Sequence, residues 1–198
     1  MLNIGVLVSG GGTNLQALID AQKAGVVHSG KIITVVSNKP DVYALERAQR
    51  AGIDTRVITK AQCGSPDAFD IALRDYLRSM KIDVVVLAGF LAILGREFLS
   101  AYPDRIINVH PSLIPSFCGD GFYGLKVHRA ALNYGVKVTG ATVHFVNEIT
   151  DGGKIILQKP VYIQEDDTPE TLQKRVMEEA EWKILPLAVE MVCADLAK

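Results

Sequence analysis

The stretch Leu2-Asn-Ile-Gly-Val-Leu-Val8-Ser-Gly-Gly-Gly-Thr-Asn14 decides the fold. Its opening is rich in Val, Leu and Ile, which is typical of a strand buried on both faces of a parallel sheet. Three glycines follow, and Leu15, Leu18 and Ile19 then recur at helical spacing. The stretch therefore predicts a strand, a tight glycine turn and a helix, the unit from which parallel α/β sheets are built.

The same alternation of strand and helix continues along the chain. Further strands are predicted at 31–37, 55–58, 83–88 and 105–109, and helices at 42–51, 67–80 and 96–102. Right-handed crossovers between such units predict a doubly wound, Rossmann-like, mainly parallel sheet with the first strand beside the fourth. Two later strands, at 137–146 and 154–163, follow each other across a turn and predict an antiparallel C-terminal part.

Two less regular segments carry further predictions. Residues 59–66 include Gly64, Ser65 and Pro66 and are predicted to form a loop. The final helix is predicted to begin with Thr168 as its cap, and Pro186 is expected to kink or break it.

The composition is that of an ordinary globular enzyme domain. The 198 residues are 48% apolar and 22% charged, with a net charge of −1. The length fits one domain, and the charge gives no case for a nucleic-acid or membrane surface. No apolar run reaches the ~18 residues of a membrane span. Cys63, Cys118 and Cys193 lack metal-ligand spacing and predict reduced thiols in a cytoplasmic protein.

The glycine turn at 10–12 is a candidate phosphate site. Glycine lets a ligand approach the backbone, helix starts attract anions, and Thr13 or Asn14 can cap the helix. The turn matches neither G-x-x-x-x-G-K-[ST] nor G-x-G-x-x-G, because Leu15 stands at the last glycine position. A turn with a purely structural role is an equal alternative. The second strand ends in Ser37-Asn38-Lys39, which lacks the ribose-binding acid of NAD proteins and argues against NAD.

An apolar loop, Gly-Phe-Leu-Ala-Ile-Leu at 89–94, is predicted directly after the fourth strand. Surface loops are usually polar, so an apolar loop at this end of the sheet indicates a pocket for a flat apolar ligand. The alternative is that these residues continue into a core helix.

The tract Asn108-Val-His110-Pro-Ser-Leu-Ile-Pro115 places an amide and a histidine at the tip of the fifth strand. Period-2 alternation sends both side chains to the same side. An imidazole that moves protons beside an amide that donates to an oxyanion suits acyl transfer. Asp151 on an Asp-Gly-Gly turn can complete the site, whereas His144 is expected to be an internal hydrogen-bonded residue. On spacing alone, a polar strand end and a common Asp-Gly turn are the alternatives.

Five tracts spread over most of the chain occur in the order of one family. They are Ser9-Gly-Gly-Gly-Thr-Asn14, Val86-Leu-Ala-Gly-Phe90, Asn108-Val-His-Pro-Ser-Leu-Ile-Pro115, Gly140-Ala-Thr-Val-His-Phe145 and Asp151-Gly-Gly153. On these tracts the sequence resembles the folate-dependent glycinamide ribonucleotide formyltransferases of purine biosynthesis. The tract at Asn108 with the later Asp-Gly is specific to formyl transfer from 10-formyltetrahydrofolate, and the opening tract narrows the resemblance to the glycinamide ribonucleotide branch.

The resemblance implies a transferase with the formyltransferase fold as a single domain over 1–198. Its N-terminal half, about 1–100, is expected to bind the nucleotide phosphate, and its C-terminal half, about 101–198, to carry catalysis and folate binding. The expected reaction moves the formyl group of 10-formyltetrahydrofolate to the amine of glycinamide ribonucleotide. Small molecules are the expected partners, no metal is needed, and the protein is expected to be a monomer or homodimer.

The resemblance also implies roles for residues in binding. The phosphate is expected to contact Gly12, Thr13 and Asn14, and the glycinamide end of the ribonucleotide is expected to contact Glu181. The pterin pocket is expected to be lined, largely through backbone groups, by Leu91, Ala92, Ile93 and Leu94.

Three catalytic roles follow from the same resemblance. Asn108 is expected to bind the folate formyl oxygen as it becomes an oxyanion. His110 is expected to stabilise that oxyanion and to move protons. Asp151 is expected to orient His110 and to raise its pKa above the ordinary value of about 6.5, which would keep it protonated.

Three features depart from the family pattern. Pro66 stands about where an arginine often contacts folate, the loop at 117–127 is long, and Trp182 replaces a histidine after Glu181. The alternatives kept are another enzyme that uses 10-formyltetrahydrofolate, either a formyltransferase or a hydrolase, and a non-catalytic nucleotide-binding module.

Overall fold

The computed structural model describes residues 1–198 as one seven-stranded sheet covered by helices on both faces. The strands are β1 (Leu2–Val8), β2 (Gly30–Ser37), β3 (Asp54–Val57), β4 (Val84–Leu87), β5 (Ile106–His110), β6 (Val138–Phe145) and β7 (Ile155–Tyr162). The α-helices are α1 (Thr13–Lys23), α2 (Tyr43–Arg50), α3 (Lys60–Cys63), α4 (Pro66–Ser79), α5 (Arg96–Leu99), α6 (Leu125–Tyr134), α7 (Pro169–Val176) and α8 (Trp182–Leu196), with a π-helical turn, Met177–Glu181, between the last two. None of the helices is long and apolar enough to cross a membrane.

The strands lie in the order β3-β2-β1-β4-β5-β6-β7. Neighbours from β3 to β5 pair in parallel, whereas β6 pairs antiparallel with both β5 and β7. This confirms the predicted doubly wound sheet with an antiparallel C-terminal part. The carboxyl ends of β1, β4 and β5 are neighbours at the point where the strand order reverses, which is where α/β sheets bind ligands.

Alternate residues of β1 pack into two separate apolar cores. Ile4, Val6 and Val8 belong to the larger core, which contains buried residues of α1 and α8. Leu7 belongs to the smaller core on the opposite face, together with residues of α4. Because both faces of β1 are buried, its sequence shows a nearly continuous apolar run instead of an alternation of apolar and polar residues.

The prediction of a loop over 59–66 is wrong for residues 60–63, which form α3. The side chain of Thr59 accepts a hydrogen bond from the N–H of Gln62, and the Gln62 side chain accepts one from the N–H of Thr59. This capping box satisfies two backbone donors and stabilises a single helical turn. Thr59-x-x-Gln62 is a recognisable signal, so the helix was readable from the sequence.

The prediction of a break at Pro186 is also wrong, because α8 continues through it. The irregularity lies one turn earlier, at the π-helical turn 177–181. The predicted start of this helical segment is confirmed, since Thr168 caps α7 through the N–H of Thr171.

Replacement of Leu185 by alanine should lower the free energy of unfolding by about 2–5 kcal/mol, because the side chain is fully buried in the larger core. The control is Leu187→Ala on the same helix, where the leucine is 48% exposed, and it should change stability by less than ~0.5 kcal/mol. Urea unfolding of both variants measures the difference. Equal losses would show that α8 does not pack as described.

Candidate active site

A cavity of about 770 Å³ opens at the carboxyl ends of the central strands. It is lined by Asn14, Asn108, His110, Asp151 and Glu181, together with the whole loop from Gly89 to Leu94. The structure therefore brings together most of the residues singled out from sequence. Two of the residues predicted to bind the phosphate, Gly12 and Thr13, are not part of the lining, although they directly precede Asn14.

Those two residues, Gly12 and Thr13, form the start of α1. Gly12 is the N-cap residue with φ of 72°, and a Cβ there would lie only 2.6 Å from the Cβ of Ala44, so glycine is required. The expected capping by Thr13 or Asn14 does not occur, because the Thr13 hydroxyl contacts the sulfur of Met177 instead. The first N–H groups of α1 have no side-chain acceptor, which leaves them free for an anion.

Asn14 connects this turn to the C-terminal helical segment. Its Nδ2 donates a 2.7 Å hydrogen bond to Oε2 of Glu181, and both side chains are buried. Burial raises the pKa of Glu181 to about 7, although the hydrogen bond from Asn14 partly opposes this. Asn14 Oδ1 is buried and has no hydrogen-bond partner within the protein.

The π-helical turn decides the direction of Glu181. Gln173, Met177 and Glu181 all line the cavity although they are spaced by four residues. In a continuous α-helix, eight residues at ~100° each would rotate Glu181 by roughly 80° away from Gln173. The extra residue in the π-helical turn reduces the rotation, so the three side chains share one face.

The side chain of Asn108 is held by His144 on the neighbouring antiparallel strand. Asn108 Nδ2 lies 3.2 Å from His144 Nε2, and His144 Nδ1 lies 2.8 Å from the carbonyl oxygen of Phe145. Because the carbonyl can only accept, the Nδ1 proton is donated to it, and in the neutral ring Nε2 accepts from Asn108. One N–H of the Asn108 amide is therefore used for positioning, and the second is left for the cavity.

His110 lies between two oxygen acceptors. Its Nε2 is 2.9 Å from the carbonyl oxygen of Phe117, and its Nδ1 is 3.4 Å from Oδ2 of Asp151. Asp151 also accepts a 2.9 Å hydrogen bond from the N–H of Gly119, and its Oδ1 lies 3.6 Å from His144 Nε2. The predicted pair of imidazole and carboxylate therefore exists, and a second histidine joins it.

The segment 117–124 closes over this group of residues. Phe117 and Asp151, whose carbonyl and carboxylate face His110, both have a left-handed backbone, with φ of 50° and 55°. A second link joins the two turns, because the Thr150 hydroxyl donates to Asp120 at 2.9 Å. A bulky residue such as phenylalanine rarely adopts positive φ, and such strained positions cluster at functional sites.

Comparison with known proteins agrees with this geometry. Residues 2–189 match the formyl transferase family. The chain belongs to the formyl transferase family. It is 42% identical to phosphoribosylglycinamide formyltransferase from Escherichia coli (strain K12), an alignment that covers 95% of this chain and 85% of that protein. The corresponding protein of Haemophilus influenzae is 41% identical, with coverage of 96% and 86%.

A solved structure and a longer relative extend the comparison. The crystal structure of glycinamide ribonucleotide transformylase 1 from Symbiobacterium toebii superposes with a TM-score of 0.93 at 44% identity, covering 98% of this chain and 89% of that one. The trifunctional purine biosynthetic protein adenosine-3 of Gallus gallus is also 44% identical. This formyl transferase spans only 18% of that larger protein's length.

Burial sets the protonation of His110 in this formyl transferase. Burial lowers the pKa of His110, and the charge of Asp151 and the carbonyl of Phe117 offset this only in part. The expectation that Asp151 would raise the pKa of His110 above its ordinary value is therefore wrong. Burial alone would raise the pKa of Asp151, but its contact with His144, the hydrogen bond from Gly119 and the nearby histidine charges lower it. The free enzyme thus pairs an ionised Asp151 with a largely neutral His110 at neutral pH.

Two histidines of the formyl transferase site were not assigned to it from sequence. His144 is buried and hydrogen-bonded as predicted, but it also positions Asn108 and Asp151. His128 on α6 is buried, lines the cavity and has no partner on either ring nitrogen. Burial and the charge of His110 lower the pKa of His128 to about 4. The alternation along β6 could have indicated the role of His144, which pairs with Asn108 across the two strands. No comparable pattern in the sequence indicated His128.

The three departures from the family pattern have different consequences. Pro66 occupies the first turn of α4 and does not line the cavity. The long loop supplies the Phe117 carbonyl and the Gly119 N–H to the site. Trp182 begins α8, and its indole N–H is buried without a partner.

Replacement of Glu181 by glutamine should change how stability depends on pH. The folded-state pKa of about 7 exceeds the ordinary 4.5, so wild type loses stability as the pH rises between these values. Glutamine has no proton to release, so the stability of the variant relative to wild type should rise by about 3 kcal/mol over that range. Urea unfolding across pH measures this, with the exposed Glu179→Gln as control. A pH-independent difference would contradict the burial of Glu181.

The ring of His110 should titrate below pH 6.5, and Asp151→Asn should lower its pKa further, because the carboxylate charge favours the imidazolium. NMR titration of the ring protons measures both values, with the His110 signal assigned by its loss in His110→Ala. The exposed His28 provides the control signal. A His110 pKa that stays constant or rises in Asp151→Asn would show that the carboxylate does not act on the ring.

Proposed function

We propose that this formyl transferase transfers the formyl group of 10-formyltetrahydrofolate to the amine of glycinamide ribonucleotide in de novo purine biosynthesis. The products are formylglycinamide ribonucleotide and tetrahydrofolate. The observation that carries the proposal is the convergence of Asn108, His110 and Asp151 on one cavity between an anion-binding helix start and an apolar loop. The names of relatives at 41–42% identity over nearly the whole chain support it.

The ribonucleotide fits the side of the cavity formed by α1 and the π-helical turn. Its phosphate would be held by the free N–H groups at Gly12, Thr13 and Asn14. Its glycinamide end would contact Glu181, whose raised pKa gives a carboxyl group that can donate or accept near neutral pH. This arrangement points the substrate amine towards the strand tips that carry the catalytic side chains.

The folate fits the opposite side, along the loop from Leu91 to Leu94. Leu91 and Ile93 are 56% and 75% exposed, and such apolar exposure at a cavity favours a flat ring. The N–H groups of Ala92, Ile93 and Leu94 make no hydrogen bond within the protein, so they are free for the polar edge of a pterin. When bound, 10-formyltetrahydrofolate supplies the activated formyl group.

The protein contributes charge stabilisation and proton transfer at the formyl carbon. The free N–H of Asn108 donates to the carbonyl oxygen as negative charge develops on it, a type of contact worth roughly 3 kcal/mol in other enzymes. His110 accepts a proton from the attacking amine, for which its neutral form is suited, and returns it to the folate nitrogen as the bond between that nitrogen and the formyl carbon breaks. In the free protein Nε2 of His110 donates its proton to the Phe117 carbonyl, so that hydrogen bond must open and the ring must carry its proton on Nδ1, facing Asp151, before Nε2 can accept a proton. Asp151 orients the ring and stabilises the imidazolium that forms.

Two alternatives make different predictions for the same assay. A hydrolase with this core would release tetrahydrofolate in the absence of the ribonucleotide. A non-catalytic module would bind the ribonucleotide without consuming the folate.

The three cysteines are free thiols, which supports a reducing compartment such as the cytoplasm as the place of the reaction.

Purified protein mixed with both substrates should form tetrahydrofolate and formylglycinamide ribonucleotide in equal amounts. His110→Ala and Asp151→Asn should each lower kcat by about 10²–10⁴-fold, because each removes part of the proton-transfer group. The exposed His28→Ala is the matched control and should retain the wild-type rate. Near-normal rates in both site variants would refute the assigned chemistry, and folate consumption without the ribonucleotide would indicate the hydrolase.

A further inference from the structure

The loop 89–95 is fixed to the rest of the protein through two backbone N–H groups. We propose that Ser9 and Asp70, neither of which lines the cavity, are positioning residues that set the affinity for the pterin by holding the backbone of this loop. The inference rests on the proposed function, because it takes the loop as the pterin-binding element. It adds two residues that act on the ligand through the backbone of Leu91 and Gly95.

Ser9 holds the first half of the loop. It is buried at the end of β1, and its Oγ accepts a 2.8 Å hydrogen bond from the N–H of Leu91. The same hydroxyl donates a 2.7 Å hydrogen bond to Oδ1 of Asn38 at the end of β2. With its single proton directed at Asn38, the hydroxyl presents a lone pair to Leu91, so both partners are satisfied with correct polarity.

Asp70 holds the second half of the loop from α4. It is only 3% exposed, and its Oδ2 accepts a 2.7 Å hydrogen bond from the N–H of Gly95. A Cβ at Gly95 would lie 2.5 Å from this oxygen, so the glycine allows the close approach. Burial raises the pKa of Asp70, with the Gly95 N–H opposing the rise. The hydrogen bond from the Gly95 N–H is the main polar contact that stabilises the Asp70 carboxylate in the core.

Between these two anchors lie the three free N–H groups of Ala92, Ile93 and Leu94. Their positions are therefore set by hydrogen bonds at either end and by the packing of Ala92 and Leu94 on the smaller core, and not by hydrogen bonds of their own. A flat heterocycle recognised by such backbone groups needs them in one fixed arrangement, since a free loop would lose conformational entropy on binding. Removing one anchor releases several residues and weakens binding without removing any direct contact.

The effect should be selective for the folate, although Ser9 is also next to the glycine turn. The turn has anchors of its own: the N–H of Ala44 donates to the carbonyl of Gly10 at 3.1 Å, and Nε of Arg47 donates to the carbonyl of Gly11 at 2.8 Å. These bonds do not involve the Ser9 hydroxyl. Loss of that hydroxyl therefore leaves the ribonucleotide side in place.

The test measures steady-state kinetics and calorimetric binding of 5-formyltetrahydrofolate, a stable molecule with the same pterin. Ser9→Ala and Asp70→Ala should each raise the KM for 10-formyltetrahydrofolate and the Kd for the probe by about tenfold, the loss of roughly one hydrogen bond. The KM for glycinamide ribonucleotide should stay within about twofold. Ser9→Thr and Asp70→Asn keep an acceptor oxygen and should restore most of the affinity.

Two matched controls lie at the opposite end of the sheet. Asp83 accepts from the N–H of Asn3 at 2.8 Å, as Asp70 accepts from Gly95, and the Ser29 hydroxyl donates to Glu190 at 2.6 Å, as the Ser9 hydroxyl donates to Asn38. Ser29→Ala and Asp83→Ala should leave the folate KM unchanged. If Asp70→Ala does not fold, Ser9→Ala against Ser9→Thr decides.

The outcomes separate the two proposals. Wild-type protein that neither binds the probe nor transfers the formyl group would overturn the proposed function. Wild-type protein that does both, with anchor variants that bind the probe normally, would overturn the role of the anchors alone. Equal weakening by the two distant controls would also overturn it, because it would show a general loss of stability.

Discussion

The carboxylate of Asp151 is the contact on which the arrangement of the site depends. It lies 3.4 Å from Nδ1 of His110 and 3.6 Å from Nε2 of His144, and it accepts the N–H of Gly119. Three segments that are separate in the chain thus meet at one buried charge, which needs such partners to be stable. The turn that carries Asp151 needs glycine at position 153, since a Cβ there would lie 1.6 Å from the carbonyl oxygen of Phe145. The turn therefore packs directly against the end of β6.

The parts of the fold that depend on local pattern could be predicted from sequence. The apolar run of β1, the glycine turn and the helical spacing after it were sufficient to predict strand, turn and helix. Period-2 alternation correctly placed Asn108 and His110 on the cavity side of β5. The apolar composition of the loop 89–94 at the carboxyl end of a strand likewise indicated a cavity, and the alternative of a core helix is excluded by the structure.

Other features depend on balances that no local pattern contains. The pKa of His110 is set by burial against the charge of Asp151, and only the structure shows that burial is the larger effect. The π-helical turn at 177–181 contains no proline or glycine to announce it, so the known effect of proline on helices placed the irregularity at Pro186 instead. The unpartnered His128 depends on how α6 packs over the sheet. Sequence spacing gives the direction of a side chain from its own element, but not what the neighbouring elements bring to it.

The hydrogen bond between Asn14 and Glu181 joins residues that are 167 positions apart. During synthesis on the ribosome, the glycine turn emerges well before Glu181, because the chain grows from its N-terminus. The five parallel-paired strands can assemble before that moment, but the surface proposed for the ribonucleotide has only one wall until the π-helical turn that carries Glu181 docks. An unfinished chain can therefore resemble the enzyme in its sheet while remaining unable to engage this substrate.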